Sequence, residues 1–165
     1  MPKRQRVVVV NTTPIISLAL VGQLSLIHSL YDEVLIPPAV EAEILAGVTK
    51  NTKAVDLDNN PYIRVVMLRD SNRAVLLADL DRGEAEVISL AQELVADLVV
   101  IDERLARRHA KRLGLYVTGT LGVLLKAKEC GKIPEVKSVI MELQRGGIYL
   151  SDELVTQSLI LAGEQ

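Results

Sequence analysis

Leu80-Asp-Arg-Gly-Glu84-Ala-Glu86-Val-Ile-Ser-Leu-Ala-Gln-Glu-Leu-Val-Ala96 runs, after Asp97, into Leu98-Val-Val-Ile101 and then Asp102-Glu103. This stretch reads as a helix feeding a buried strand that ends in two acids. Within Glu84–Ala96, positions 84, 88, 91 and 95 are Glu, Ile, Ala and Val, a stripe at helical spacing that faces a sheet. Glu86 shares another face with Glu93 and is expected in solvent. Leu98–Ile101 is short, apolar and bounded by polar residues, as befits a strand covered on both faces.

The alternation recurs in both directions. Val7–Val10 is a β-branched run stopped by Asn11-Thr12-Thr13-Pro14, and two helical segments follow, Ile15–Leu20 and Leu24–Leu30, divided at Gly22. Val34–Ile36 is a second strand, ended by Pro37-Pro38, and Val40–Ala46 a short helix. Residues 50–61 are polar and loop-like, Ile63–Leu68 is a third strand, and Arg73–Asp79 is a further helix. Downstream come a helix at Arg104–Leu113, a last short strand at Tyr116–Val117, and helices at Leu121–Lys128, Glu135–Gln144 and Asp152–Leu161. Strands alternating with helices predict an α/β fold, a three-layer α/β/α sandwich around a mostly parallel sheet. With no repeat and no linker, residues 1–165 are expected to form one domain behind a basic tail at residues 1–6.

Composition narrows the function. The chain of 165 residues is 49% hydrophobic without a single Phe or Trp, so its core is aliphatic. Only four Tyr are present, which argues against aromatic base stacking as the recognition device. A net charge of −2 argues against bulk adhesion to nucleic acid. The single Cys130 excludes an internal disulfide and a cysteine zinc site, and fits a reducing cytosol. The basic start followed by Val7–Val10 imitates a secretory signal, but the apolar run breaks at Asn11. No stretch approaches the ~20 apolar residues of a spanning helix. A cytoplasmic protein with no membrane partner is expected.

Ligands of parallel sheets bind where the strands end. Asn11 follows strand one, Asp102 and Glu103 follow Leu98–Ile101, and Thr118 follows the last strand. Glu43 lies in the early turns after Pro38, and Glu84 opens the helix that runs back to the same edge. Each residue alone has a plain structural reading. Glu84 complements a helix N-terminus, Asp102-Glu103 caps Arg104–Leu113, Glu43 is an ordinary helix residue beside Glu41, and Asn11 forms a turn. Together, Glu43, Glu84, Asp102 and Glu103 bring like charges to one edge from separate segments, which calls for a cation. An oxygen-only set suits Mg²⁺ or Mn²⁺ rather than zinc. His28 and His109 lie on helices and are read as surface or packing residues. The helix after Asp102 carries Arg104, Arg107, Arg108, Lys111 and Arg112 opposite Leu105, Ala106, Ala110 and Leu113. That face is either simply solvated or holds the phosphates flanking a scissile bond. Thr118-Gly119-Thr120 caps the next helix, and its N–H groups are also suited to a phosphate.

Val-Val-Val-Asn-Thr-Thr-Pro-Ile-Ile-Ser-Leu-Ala at 8–19, Ile-Pro-Pro-Ala-Val-Glu-Ala-Glu-Ile at 36–44, Leu-Asp-Arg-Gly-Glu-Ala-Glu-Val-Ile-Ser-Leu-Ala at 80–91, Val-Ile-Asp-Glu-Arg-Leu-Ala-Arg at 100–107 and Val-Thr-Gly-Thr-Leu-Gly at 117–122 resemble PIN-domain proteins. The likeness runs in order from about Val7 to the final helix and is closest to a prokaryotic branch akin to VapC-type toxins. It implies a metal-dependent endoribonuclease with an acidic quartet, matched here by Asn11, Glu43, Glu84 and Asp102 as the catalytic set. It also implies RNA as substrate, an antitoxin partner and a homodimer. Asn11 is a departure, since the family usually carries Asp there. The amide still offers a carbonyl oxygen, the site loses one negative charge, and Glu103 beside Asp102 is the residue that can compensate. The alternative is a PIN-fold module, weak or inactive as a catalyst, that binds RNA or a protein partner. A small-molecule or phosphoacceptor domain is poorly supported, because strand one ends in Asn rather than paired acids and no G-x-G-x-x-G follows it.

Overall fold

Three consecutive valines, Val8–Val10, form strand β1, and none of them exposes any surface. Such a run is at home only in the middle of a parallel sheet covered on both faces. In this computed structural model, which describes residues 5–48 and 55–165, β1 is the central strand of a sheet ordered β3-β2-β1-β4-β5. The other strands are β2 (Val34–Ile36), β3 (Ile63–Val65), β4 (Leu98–Val100) and β5 (Val117–Thr118). All pairings are parallel: Val8, Val9 and Val10 face Leu98, Val99 and Val100, while Val9 also faces Leu35.

The helices are α1 (Thr12–Leu20), α2 (Ser25–Tyr31), α3 (Pro38–Val48), α4 (Asn72–Val75), α5 (Arg82–Leu94), α6 (Arg104–Arg112), α7 (Thr120–Glu129), α8 (Lys137–Arg145) and α9 (Asp152–Ala162). One set packs around α7, which touches α1, α2 and α9. Another packs around α5, which touches α4, α6, β1 and β4, and α3 touches both α1 and α5. The result is the expected three-layer α/β/α arrangement with an aliphatic core, including Ile15, Leu18, Ile36, Ile88, Ile101 and Leu124. The chain's end is tied down too. Burial opposes ionisation of Glu164, but hydrogen bonds from Val136 N–H, Lys128 Nζ and Lys137 N–H hold its carboxyl down to about 2.

Several boundaries differ from the sequence reading for physical reasons. β3 stops at Val65 rather than Leu68, because its only neighbour, β2, ends at Ile36, before Pro37-Pro38, and leaves nothing to pair with. Helix α4 covers four residues instead of the span to Asp79. Helix α5 ends at Leu94, where Val95 turns left-handed (φ 50°) and is 74% exposed, so position 95 leaves the apolar stripe. Thr118 lies inside β5, paired with Val100, rather than after the last strand. Glu86 is buried, not solvated: nine consecutive residues of α5, Gly83–Ala91, are buried, and Glu86 accepts Ala39 N–H at 3.1 Å and Arg82 Nε at 3.1 Å. The amphipathic rule fails there because α5 is enclosed on nearly every side.

Residues 1–4 of the expected basic tail and 50–54 of the expected loop lie outside the described residues; Arg6 sits over the Tyr31 ring at 5.7 Å. Among the described residues no single helix is long and apolar enough to cross a membrane. α1 and α2 reach that length only jointly, with a bend of 120° between them.

Candidate active site

The strand order reverses at β1, since β2 and β3 extend to one side and β4 and β5 to the other. The crevice at such a switch point, beyond the strands' C-terminal ends, is where an open parallel sheet takes its ligand. Asn11 N–H closes the β1 ladder by donating to Val100 C=O at 2.9 Å, and α1 then starts at Thr12. The turn Asn11-Thr12-Thr13 is thereby fixed over the switch point, and all three side chains reach for carboxylates.

Asn11, only 3% exposed, donates from Nδ2 to Glu103 Oε2 at 3.3 Å, and Thr13 Oγ1 donates to Glu103 Oε1 at 3.0 Å. Glu103 is the N-cap residue of α6, yet its side chain makes no bond to its own helix. On the other side Thr12 Oγ1 donates to Glu43 Oε2 at 2.6 Å. Glu43 Oε1 rests against Gly83 so closely that a methyl group there would overlap it. Glu84 comes next, 8% exposed, while its N–H donates to the N-cap carboxylate of Asp81 at 2.8 Å. Burial, then a hydrogen bond and charge from Asp81, then the charge of Glu103, push the Glu84 carboxyl up to about 7.

Asp102 faces elsewhere. Its Oδ1 accepts Thr120 N–H at 2.7 Å and its Oδ2 accepts Thr120 Oγ1 at 2.6 Å, tying the end of β4 to the start of α7. Arg107 bends back to donate to Ile101 C=O at 3.0 Å. Both side chains lie against Gly119: a Cβ there would come within 2.7 Å of Asp102 Oδ1 and 2.9 Å of Arg107 Nη1. The expected acids therefore divide in two. Glu43, Glu84 and Glu103 gather around the Asn11 turn, and Asp102 belongs to the Thr120 side.

The donor chemistry fits a hard divalent cation. All the groups are oxygens, the carboxylates raise one another's affinity for positive charge, and the buried Asn11 Oδ1 has no hydrogen-bond partner. In the present arrangement the threonine hydroxyls hold the carboxylates. Among the described residues no three Asp, Glu, His or Cys side chains converge as an ion would require. Neither histidine joins the set: His28 stacks on Tyr62 with centroids 4.8 Å apart, and His109 pairs with Asp79 at 2.8 Å.

Beside this cluster runs a groove of about 890 Å³. Arg104, Arg107, Arg108 and Lys111 line it from one face of α6, Thr118, Gly119 and Thr120 from the β5–α7 turn, and Asp102 from the end of β4. Among the described residues these four cations form no ion pair. Every expected nucleic-acid contact thus borders a single space that reaches Asp102. Helix α6 itself is anchored by Ala106 and Ala110, both fully buried, while Leu105 and Leu113 are 41% and 43% exposed.

Sequence reasoning missed the roles of Thr12, Thr13, Asp81 and Gly83. The Asp81-x-x-Glu84 spacing of a capped helix start was legible. Which threonine meets which carboxylate depends on the packing of α1 against α3 and on where the chain after β4 delivers Glu103, and no local signal carries that.

A family model described as a PIN domain matches residues 7–164. No curated protein matches the chain.

Proposed function

The chain belongs to the PIN-domain family, and from that premise, a nuclease fold, we propose that it is a divalent-metal-dependent endoribonuclease. The observation that carries this reading is the single groove joining the α6 cations to Asp102 beside the acid cluster. A binding surface for phosphates next to a site for a hard cation is what phosphodiester hydrolysis needs. Asn11 Oδ1, Glu43, Glu84, Asp102 and Glu103 are the groups that would hold Mg²⁺ or Mn²⁺. When bound, such an ion stabilises charge on the phosphodiester and lowers the pKa of water.

The chain's own residues do the rest. Arg104, Arg108 and Lys111 hold phosphates and fix the register of the strand. Arg107, braced by Ile101 C=O, presents its remaining donors to the groove. Thr120 orients Asp102, Thr12 orients Glu43, and Thr13 with Asn11 orients Glu103. Glu84, whose carboxyl is pushed up to about 7 in the metal-free protein, would give up its proton when a cation binds. The resemblance to VapC-type toxins supports a toxin role for one domain spanning the chain. It would act in the cytoplasm as a homodimer with an antitoxin partner.

The second reading, a PIN-fold module that binds RNA without cutting it, is favoured by Asn11 and by the unconverged carboxylates. Asn11→Asp separates the two. The substitution replaces the Nδ2 bond to Glu103 with like-charge repulsion and restores an anionic ligand, so the metal-free protein loses about 1–2 kcal/mol of stability. Added Mn²⁺ raises its melting temperature more than that of wild type. On unpaired RNA with Mn²⁺, the nuclease reading expects cleavage by both proteins, faster in the variant. An inert wild type beside an active variant supports the binding module.

A further inference from the structure

Helix α9 is attached to the rest of the protein by little apolar surface. Of its 11 residues only Ser158 is buried, and that hydroxyl turns back onto Leu154 C=O of its own helix at 2.8 Å. Val155, Leu159 and Ala162 are partly buried against the core, with α7 as the helix they pack on, while Leu154, Ile160 and Leu161 stay exposed. Its first turn is capped from within, by Ser151 Oγ accepting Leu154 N–H at 3.2 Å. Burial this slight is weak attachment for a whole helix.

The attachment is concentrated in one residue beyond the helix end. Gly163 closes α9 in the left-handed region (φ 72°), where side chains are disfavoured, and Glu164 N–H then returns to Leu159 C=O at 2.8 Å. That turn sends the Glu164 carboxylate back across α7 and α8. Its Oε2 accepts Lys128 Nζ at 2.9 Å and Val136 N–H at 2.7 Å, and its Oε1 accepts Lys137 N–H at 2.9 Å. Lys128 Nζ also donates to Ala162 C=O at 2.5 Å. One carboxylate thus joins α7, the start of α8 and the end of α9, with its charge on the positive end of α8. Helix α9 also contributes Glu153, Leu154, Gln157, Ser158 and Leu161 to the lining of the groove.

We propose that α9 is a movable part of the groove's lining: it undocks from α7 as a unit while the sheet and α5 stay folded, and the Glu164 clasp sets how often it does so. A helix held by one shallow face and one clasp opens at far lower cost than the enclosed helix α5, nine of whose residues are buried in succession. Undocking withdraws all five lining residues together, so the room beside Asp102 follows the position of α9. Movement of this helix governs access whatever enters the groove, and its test is independent of the nuclease reading.

The test is amide hydrogen exchange, resolved by segment, on the native metal-free protein. In wild type the amides along α9 exchange together, more than 10-fold faster than those of α5. Glu164→Gln keeps the size of the side chain and removes its charge; exchange across α9 then rises about 10-fold further while that of α5 is unchanged. Lys128→Met has the same effect from the other side of the clasp. Glu129→Gln, an exposed acid on α7 paired with Lys126 instead, changes nothing.

Protection of α9 equal to that of α5 in wild type, a comparison that needs no variant, would place α9 in the cooperative core and overturn the proposal. Exchange graded along α9 from its C-terminal end would show fraying rather than undocking and overturn it too. Equal acceleration of α9 and α5 in Glu164→Gln would mean that the clasp supports the whole fold. Folded Glu164→Gln and Lys128→Met proteins with α9 exchange like wild type would remove the clasp from control of the helix.

Discussion

Replacing Glu84 by Gln raises the melting temperature of the metal-free protein at pH 8 and flattens its dependence on pH. The Glu84 carboxyl sits at about 7 in the fold, above the 4.5 of a free glutamate, because it is buried beside Asp81 and Glu103. A carboxyl raised in the folded state binds its proton more tightly there than in the unfolded chain. Stability therefore falls as pH rises through the window from about 4.5 to 7, and the loss is complete above it. Shared with the neighbouring acids and screened by solvent, the shift corresponds to at most about 3 kcal/mol, which for a chain of this size is a rise of several degrees in Tm. Gln carries no charge at any pH and still offers a donor to Asp81. In EDTA the difference in Tm between variant and wild type grows from pH 5 to pH 8, and Mn²⁺ restores wild type but not the variant. Parallel melting curves across that range would show that no charge accumulates at the site.

The second large effect comes from a substitution that leaves stability intact. Gly83→Ala adds a methyl group where Glu43 Oε1 now lies. Glu43 is exposed and its carboxylate is the end of a flexible side chain, so it swings away from Thr12 rather than straining the backbone. Gly83 has ordinary helical backbone in α5, where Ala is favoured over Gly by about 1 kcal/mol. The expected result is an unchanged or slightly raised Tm together with a fall in RNA cleavage on the order of 10- to 100-fold, as for loss of an orienting contact at a metal site. Activity retained at the wild-type level would remove Glu43 from the site.

These two residues illustrate what a linear reading can reach. Glu84 is legible because its helix is long and periodic and its position in the first turn points it at a sheet edge. The three valines of β1 and the acids after β4 are legible because runs buried on both faces and turns at strand ends leave local marks. Gly83 is not legible: its sequence context shows only a helix start, and its role exists because α3 brings Glu43 across 40 positions of chain. Glu86 misleads for a related reason, since a helix enclosed by α3, α4, α6 and the sheet buries even the face that periodicity assigns to water. Asp102 was placed at the correct edge, but the grip of Thr120 on both its oxygens follows from the register of β5, which is shifted by one residue from the sequence reading. The groove is the least legible feature, because its lining comes from the charged helix α6 and from α9, far along the chain, which border one space only in the fold.

The measurement that bears most directly on the nuclease claim is cleavage of a mixed unpaired RNA by wild type and Asp102→Asn, each with Mn²⁺, Mg²⁺ or EDTA. Asn at 102 keeps an acceptor for Thr120 and removes the charge, so the variant stays folded while its activity drops about 100-fold. The account predicts metal-dependent cutting by wild type that EDTA abolishes and Asp102→Asn lacks. Equal cutting, or equal absence of cutting, by the two folded proteins would contradict it.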